Sequence, residues 1–130
     1  MGEVMYYIKV DIHEVKDVLY KEEVTERELI PNVFVEAVFK DYSNCTQTKE
    51  HSSNAFFNAS FNFTPKLSAS EFERGRIIVA LYHKEGIASY KKLIGHHAFS
   101  LPLIYSKQQH CIHRSWVKVF NPNFPTHNAV

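Results

Sequence analysis

Glycine is scarce in this chain: four in 130 residues, at positions 2, 75, 86 and 95. None adjoins another, which excludes a Gly-rich loop cradling a phosphate at a helix N-terminus. Two cysteines, Cys45 and Cys111, are too few for a disulfide framework and point to a reducing, cytoplasmic setting. Charge of one sign is also lacking. The formal net charge is +1 and the pI about 7.8, so no global field draws the chain to nucleic acid or to a membrane. Long apolar runs are missing too: "IIVALY" (Ile77–Tyr82) is far shorter than the roughly 20 residues of a spanning helix. The opening "MGEVMYYIKV" has neither the basic stretch nor the apolar core of a secretory signal. The sequons at Asn44, Asn58 and Asn62 are therefore taken as chance.

What is present is a globular composition, 45% hydrophobic and 14% aromatic, sized for one core. "MYYIKVDIH" (5–13) alternates with the period of a half-buried strand. "NVFVEAVF" (32–39) does the same behind Pro31. Further strand-like runs are "CTQTK" (45–49), "AFFNASFNF" (55–63), "RIIVALYH" (76–83), "LIGHHAFSL" (93–101) and "SWVKVF" (115–120). Turn signals separate them: "DYSN", "HSSN", "TPKLSAS", "KEGIAS" and "YSKQQ". Residues 14–30 are acidic and irregular, with room for one helical turn near "VTEREL". Short strands at regular spacing without a helical pattern of ordinary length predict an antiparallel sandwich or barrel.

Eight histidines invite a search for chemistry. Four fall within "HHAFSLPLIYSKQQHCIHRSW" (96–116). Zinc needs three or four converging ligands. His110 and His113 lie in a loop with no second pair, and His96 and His97 are neighbours that a strand turns to opposite faces. Cys111 stands beside His110 without a nucleophile signature. The carboxylates Glu22, Glu23, Glu26 and Glu28 form a solvated run. The aromatics of "FFNASFNF" are interleaved with Asn, Ser and Ala rather than basic residues, which favours core packing over base stacking. No catalytic centre is expected, and a zinc hydrolase would require stoichiometric metal.

"SSNAFFNASFNF" resembles the stretch that C2 domains write as Asn-Pro-x-Trp-Asn-Glu-x-Phe-x-Phe. Asn54, Phe57, Asn58, Phe61 and Phe63 hold matching places, with Ala55 for Pro, Phe57 for Trp and Ala59 for Glu. "RIIVALYHKEGIASYKKLIGHHAFSL" is similar to the next strand, third calcium loop and Leu-Ile-Gly strand of that family, the glycine being Gly95. "LIYSKQQHCIHRSWVKVFNP" resembles the closing segment of the second C2 domain in ferlins, through Tyr105, His110, His113, Trp116 and Pro122. The resemblance covers about residues 32–122. It implies an all-β, antiparallel eight-stranded Greek-key β-sandwich over residues 1–122, with 123–130 a terminal tail or the start of a linker. It also implies that the histidine-rich segment is a structural loop, Trp116 entering the core and a loop histidine donating a ring N–H to a backbone carbonyl.

Calcium-sensing members of that family gather about five aspartates from two loops, because Ca²⁺ takes six to eight hard oxygens. Here Pro31 stands where one Asp is expected, Asp-x-Asp becomes His83-x-Glu85, and the next acidic position falls near Tyr90 and Lys91. Glu85, even aided by Glu22 or Glu23, makes no tight site. The resemblance thus implies a calcium-independent module, without cofactor or metal, docking on anionic membranes or trafficking proteins in vesicle trafficking, exocytosis or membrane fusion. Its place would be cytoplasmic and peripheral to membranes, inside a larger membrane-anchored protein. Lys84, Lys91 and Lys92, with Ile87 and Tyr90 for shallow insertion, are the candidate lipid contacts, each cation worth about 1 kcal/mol near an anionic surface. Lys9, Lys40, Lys49 and Lys118 offer a second patch. The alternative is a protein-interaction scaffold of the same fold with no direct lipid role.

Overall fold

A computed structural model describes residues 2–22, 25–86, 90–112 and 115–121, and the backbone of 124–129. In chain order the strands are β1 (Val4–Met5), β2 (Ile8–Val15), β3 (Tyr20–Lys21), β4 (Glu28–Leu29), β5 (Val33–Phe39), β6 (Tyr42–Cys45), β7 (Ala55–Phe63), β8 (Lys66–Leu67), β9 (Arg76–Glu85), β10 (Tyr90–Ser100), β11 (Lys118–Asn121) and β12 (Phe124–Ala129). Two five-residue helices join them, α1 (Ala69–Glu73) and α2 (Leu101–Tyr105).

The main sheet runs β12-β11-β10-β9-β5-β6, antiparallel throughout. Its inner face follows from alternation: Val33, Val35, Ala37 and Phe39 on β5 and Ile77, Val79 and Leu81 on β9 are all buried. Against it lies the β2–β7 pair, supplying Ile12, Val15 and Ala55, with Phe57 and Phe61 packed at the margin. Phe63 is 2% exposed, so the aromatic run does fill the core. A bulge interrupts this pair between Ile12 and Glu14. Asn58, at φ +47, takes the left-handed turn there, a conformation Asn tolerates better than most residues. A second cluster, Phe39, Leu67, Ile77 and Leu101, closes the end beside α1 and α2.

The β-sandwich expectation holds, but not as a clean eight-stranded Greek key. Among the described residues there are one six-stranded sheet and three two-stranded ladders, β1–β8, β2–β7 and β3–β4. The short ladders have physical stops: Pro65 precedes β8, and Pro31, which has no N–H, follows β4. The strand expected at 45–49 is displaced to Tyr42–Cys45 by a tight turn at Lys40, φ +52. Beyond it, Thr46 accepts the Val35 N–H at 2.9 Å through its hydroxyl, and Lys49 and Val33 exchange backbone bonds. Near "VTEREL" a single turn, Glu26 N–H to Glu22 O, sits inside the β3–β4 hairpin. The "TPKLSAS" stretch holds β8 and the capping box of α1, in which Ser68 and Glu71 satisfy each other's backbone N–H. The final strand begins at Lys118 rather than Ser115, and Phe124–Ala129, expected as tail, pairs with β11 and extends the sheet.

Candidate docking surface at the loop end

Three connections meet where β5 begins and β9 ends. Asn32 ties them together. Its Oδ1 accepts the His51 N–H at 2.9 Å, its Nδ2 donates to the Lys84 carbonyl at 3.1 Å, and its own N–H donates to His83 Nδ1 at 3.0 Å. Backbone bonds reinforce the junction: Ser52 N–H to Pro31 O and Lys84 N–H to Asn32 O, both 2.8 Å. Pro31 is fully buried. Asn54 makes a parallel tie, its Oδ1 accepting the Asp17 N–H at 3.1 Å. Asp17 and His51 both sit at positive φ, +54 and +48, so each asparagine oxygen holds a backbone N–H that left-handed geometry turns out of any ladder.

His83 is 7% exposed and faces the core beside Tyr20, ring centroids 4.4 Å apart. Burial holds its imidazole below the usual histidine range, against the pull of nearby Glu85 and Glu22 toward the charged form. A ring nitrogen that accepts an N–H carries no proton, so the geometry requires the neutral form as well. Glu85 is exposed at the end of β9, next to Gly86 at φ +67. Among the described residues no group of three or more His, Cys, Asp or Glu side chains converges to hold a metal ion.

The lysines expected on a loop belong to strands. β9 reaches Glu85 and β10 starts at Tyr90, so Lys84 faces Lys91 across the ladder, while Lys92 pairs with His83 in the neighbouring register. Lys84 and Lys91 therefore share the outer face and Lys92 does not. Like charges directly opposite repel. Lys91 relieves this by lying over the Tyr82 ring, 4.4 Å from its centroid, and 3.7 Å from Glu36. Tyr82 stacks on Phe34 at 5.3 Å. Together Phe34, Cys45, Thr46, Thr48, Lys84 and Lys91 line an open concavity of about 420 Å³. Burial, then Glu36, raises the Cys45 thiol pKa, and burial raises that of Tyr82, so both stay neutral there. Lys92 lies 5.9 Å from the exposed Tyr90 ring. Ile87 and His113 are outside the described residues, as is Pro122.

The second lysine set is not one patch. Lys9 projects from the outer side of β2 near Asp11, Lys118 from the opposite face of the sandwich, and Lys40 is bonded to Glu71 at the far end.

The closing segment shows what its spacing does. His110 Nδ1 donates to the Tyr105 carbonyl, and the two rings stack with centroids 3.9 Å apart. The stack continues through Phe72, edge-on to Tyr105 at 5.5 Å, to Tyr6 at 5.0 Å from Phe72. Trp116, expected in the core, is instead 53% exposed. It precedes β11, and the inward positions of that strand belong to Val119 and Asn121, whose amide donates to Leu93 O at 2.9 Å. Gly95 lies under β11: a Cβ there would stand 2.9 Å from the Phe120 nitrogen. Nothing in the sequence marks Asn32, Glu36 or Tyr82 as part of a site; each falls in a strand-like run.

Comparison with solved structures places this geometry in a class. The calcium-bound pair of C2 domains from Extended-Synaptotagmin 2 superposes with a TM-score of 0.73 at 6% identity, covering 100% of this chain and 44% of that one. A C2 domain of plant Extended Synaptotagmin 1 gives 0.66 at 13% identity, over 95% and 88% of the two chains. At such identities the likeness is one of fold, and the fold is that of a C2 domain. Sequence similarity narrows the class. Ferlin 1 of Toxoplasma gondii is 39% identical over 126 residues, 94% of this chain and 9% of that protein. The chain is a ferlin-like C2 domain, and it spans about a tenth of the curated relative it matches. No family model matches it.

Proposed function

We propose that this chain is a calcium-independent docking module for anionic membrane surfaces, serving a larger membrane-anchored protein of vesicle trafficking, exocytosis or membrane fusion. The cross-strand pairing of Lys84 with Lys91, both lining one open concavity, carries the reading. Two cations held on one face by a stiff hairpin meet a phosphate-rich surface together, whereas the same residues on a flexible loop would first have to be ordered. The place of the missing aspartates supports independence from calcium: His83 is neutral, buried and bonded to Asn32, and Pro31 has no side-chain oxygen. Position in the second C2 domain of a ferlin and a cytoplasmic, membrane-peripheral site belong to the same proposal. No helix among the described residues is long and apolar enough to cross a bilayer.

Co-sedimentation with phosphatidylserine and phosphoinositide vesicles tests this, in calcium and in chelator, at low and physiological salt. Equal binding with and without calcium, weakened by salt and by Lys84→Ala with Lys91→Ala, is the expected result. Binding only with calcium refutes it. A protein scaffold without lipid contact is the second reading, favoured by β6, a four-residue edge strand exposed along its whole length. Saturable capture of a partner protein without vesicle binding would select it.

A further inference from the structure

We infer that Asn32 is a positioning residue: its side chain ties the three connections of the loop end to one another, doing with hydrogen bonds what a bridging cation would otherwise do, and so fixes Lys84 for docking. The inference rests on the reading above and adds the means by which the docking end is formed without metal. Every polar atom of the Asn32 side chain joins a different segment, Oδ1 the His51 turn and Nδ2 the end of β9. The Asn32 N–H adds His83, which belongs to the same strand as Lys84. A divalent ion would link carboxylates from separate loops; here one neutral amide links the His51 turn to the end of β9.

Two features mark the tie as more than a turn. His51 is a non-glycine residue at φ +48, a conformation that costs free energy unless its surroundings hold it, and Oδ1 of Asn32 takes its N–H. The second bond ends on the carbonyl of Lys84 itself, so the side chain that sets the loops also sets the backbone of a proposed lipid contact. Asn54 repeats the first half of the device on Asp17 but reaches no lysine.

The test uses the whole chain and two variants. Asn32→Ala removes both side-chain bonds; Asn32→Asp keeps an acceptor for His51 and loses the donor to Lys84. Amide hydrogen exchange is followed by NMR in chelator and in calcium, with phosphatidylserine vesicle binding measured in parallel. In the wild type the His51 amide is protected in chelator and calcium changes nothing. In Asn32→Ala its exchange quickens about tenfold while Val35 and Leu81 keep their protection. In Asn32→Asp the His51 amide stays slow, yet vesicle binding falls at least as far as in Asn32→Ala, since the new carboxylate adds repulsion to the lost Lys84 bond. Slower exchange at His51 on adding calcium would sink the calcium-independent reading. Unchanged exchange at His51 in Asn32→Ala would overturn the tie alone. A freed His51 with undiminished vesicle binding in both variants would overturn the positioning role. Should Asn32→Ala fail to fold, undiminished vesicle binding in Asn32→Asp, which loses the Lys84 bond and adds a negative charge beside it, would still overturn the positioning role.

Discussion

Lowering the pH from 7.5 to 5.5 will strip stability from this domain through His83. Burial holds its imidazole toward the neutral form, and the donor geometry agrees, since Nδ1 can accept the Asn32 N–H at 3.0 Å only without a proton of its own. In the unfolded chain the same ring titrates near its ordinary value of 6.5. The folded pKa lies below the unfolded one, so the unfolded state takes up the proton first as pH falls. Stability is therefore fully present above pH 6.5 and is lost as pH drops from there toward the folded value. One pH unit below the unfolded value, a ring still neutral in the fold costs up to about 1.4 kcal/mol, or roughly 3–5 °C in Tm for a domain of this size. Thermal denaturation of the wild type and of His83→Gln across this range isolates the term, because glutamine keeps an acceptor for Asn32 and carries no titrating group. The wild type should lose Tm more steeply below pH 6.5 than the variant. Parallel curves for the two proteins would refute the neutral, buried imidazole.

Gly95→Ala should cost about 1–3 kcal/mol in urea denaturation, since its Cβ meets the backbone of Val119 and Phe120 at 2.9 Å and β11 must move. Ser68→Ala removes the side-chain half of the α1 capping box and should cost about 1 kcal/mol by the same measurement. Trp116→Ser should cost no more than about 1.5 kcal/mol because half of the indole is already in water; a loss of about 3–5 kcal/mol would put it back in the core. Millimolar calcium should leave the Tm unchanged, whereas a site filled a hundredfold over its Kd would add about 2.7 kcal/mol.

The core was legible because alternation in β5 and β9 translates into inner and outer faces, as the buried Val33, Val35 and Leu81 show against the half-buried Glu36 and the exposed Lys84. Resemblance added the class of fold. Positions set by hydrogen bonds rather than by burial were not legible. Thr46 bonding Val35 shifts where a ladder ends, and nothing in "CTQTK" signals it. Gly86 reads as a turn and so puts the lysines on a loop, yet a turn's position does not say how far the strands run on either side. Only pairing across the ladder separates Lys92 from Lys84 and Lys91. Trp116 misled because a large aromatic beside a strand is usually taken inward, and here Asn121, bonded to Leu93, occupies the inner place.

The hairpin of β9 and β10 contains the longest strands among the described residues, ten and eleven residues with one bulge between Leu93 and Gly95, about 34 Å at the usual strand rise. Its tip carries Lys84, Tyr90 and Lys91; its root is stapled where Leu101 donates its N–H to Gly75 O at 2.9 Å. A pull on the tip along the strands would load the β5–β9 and β10–β11 ladders in shear, with many hydrogen bonds strained at once rather than one after another. Such a hairpin acts as a strut, passing mechanical load from a docked surface to the opposite end of the domain with little give.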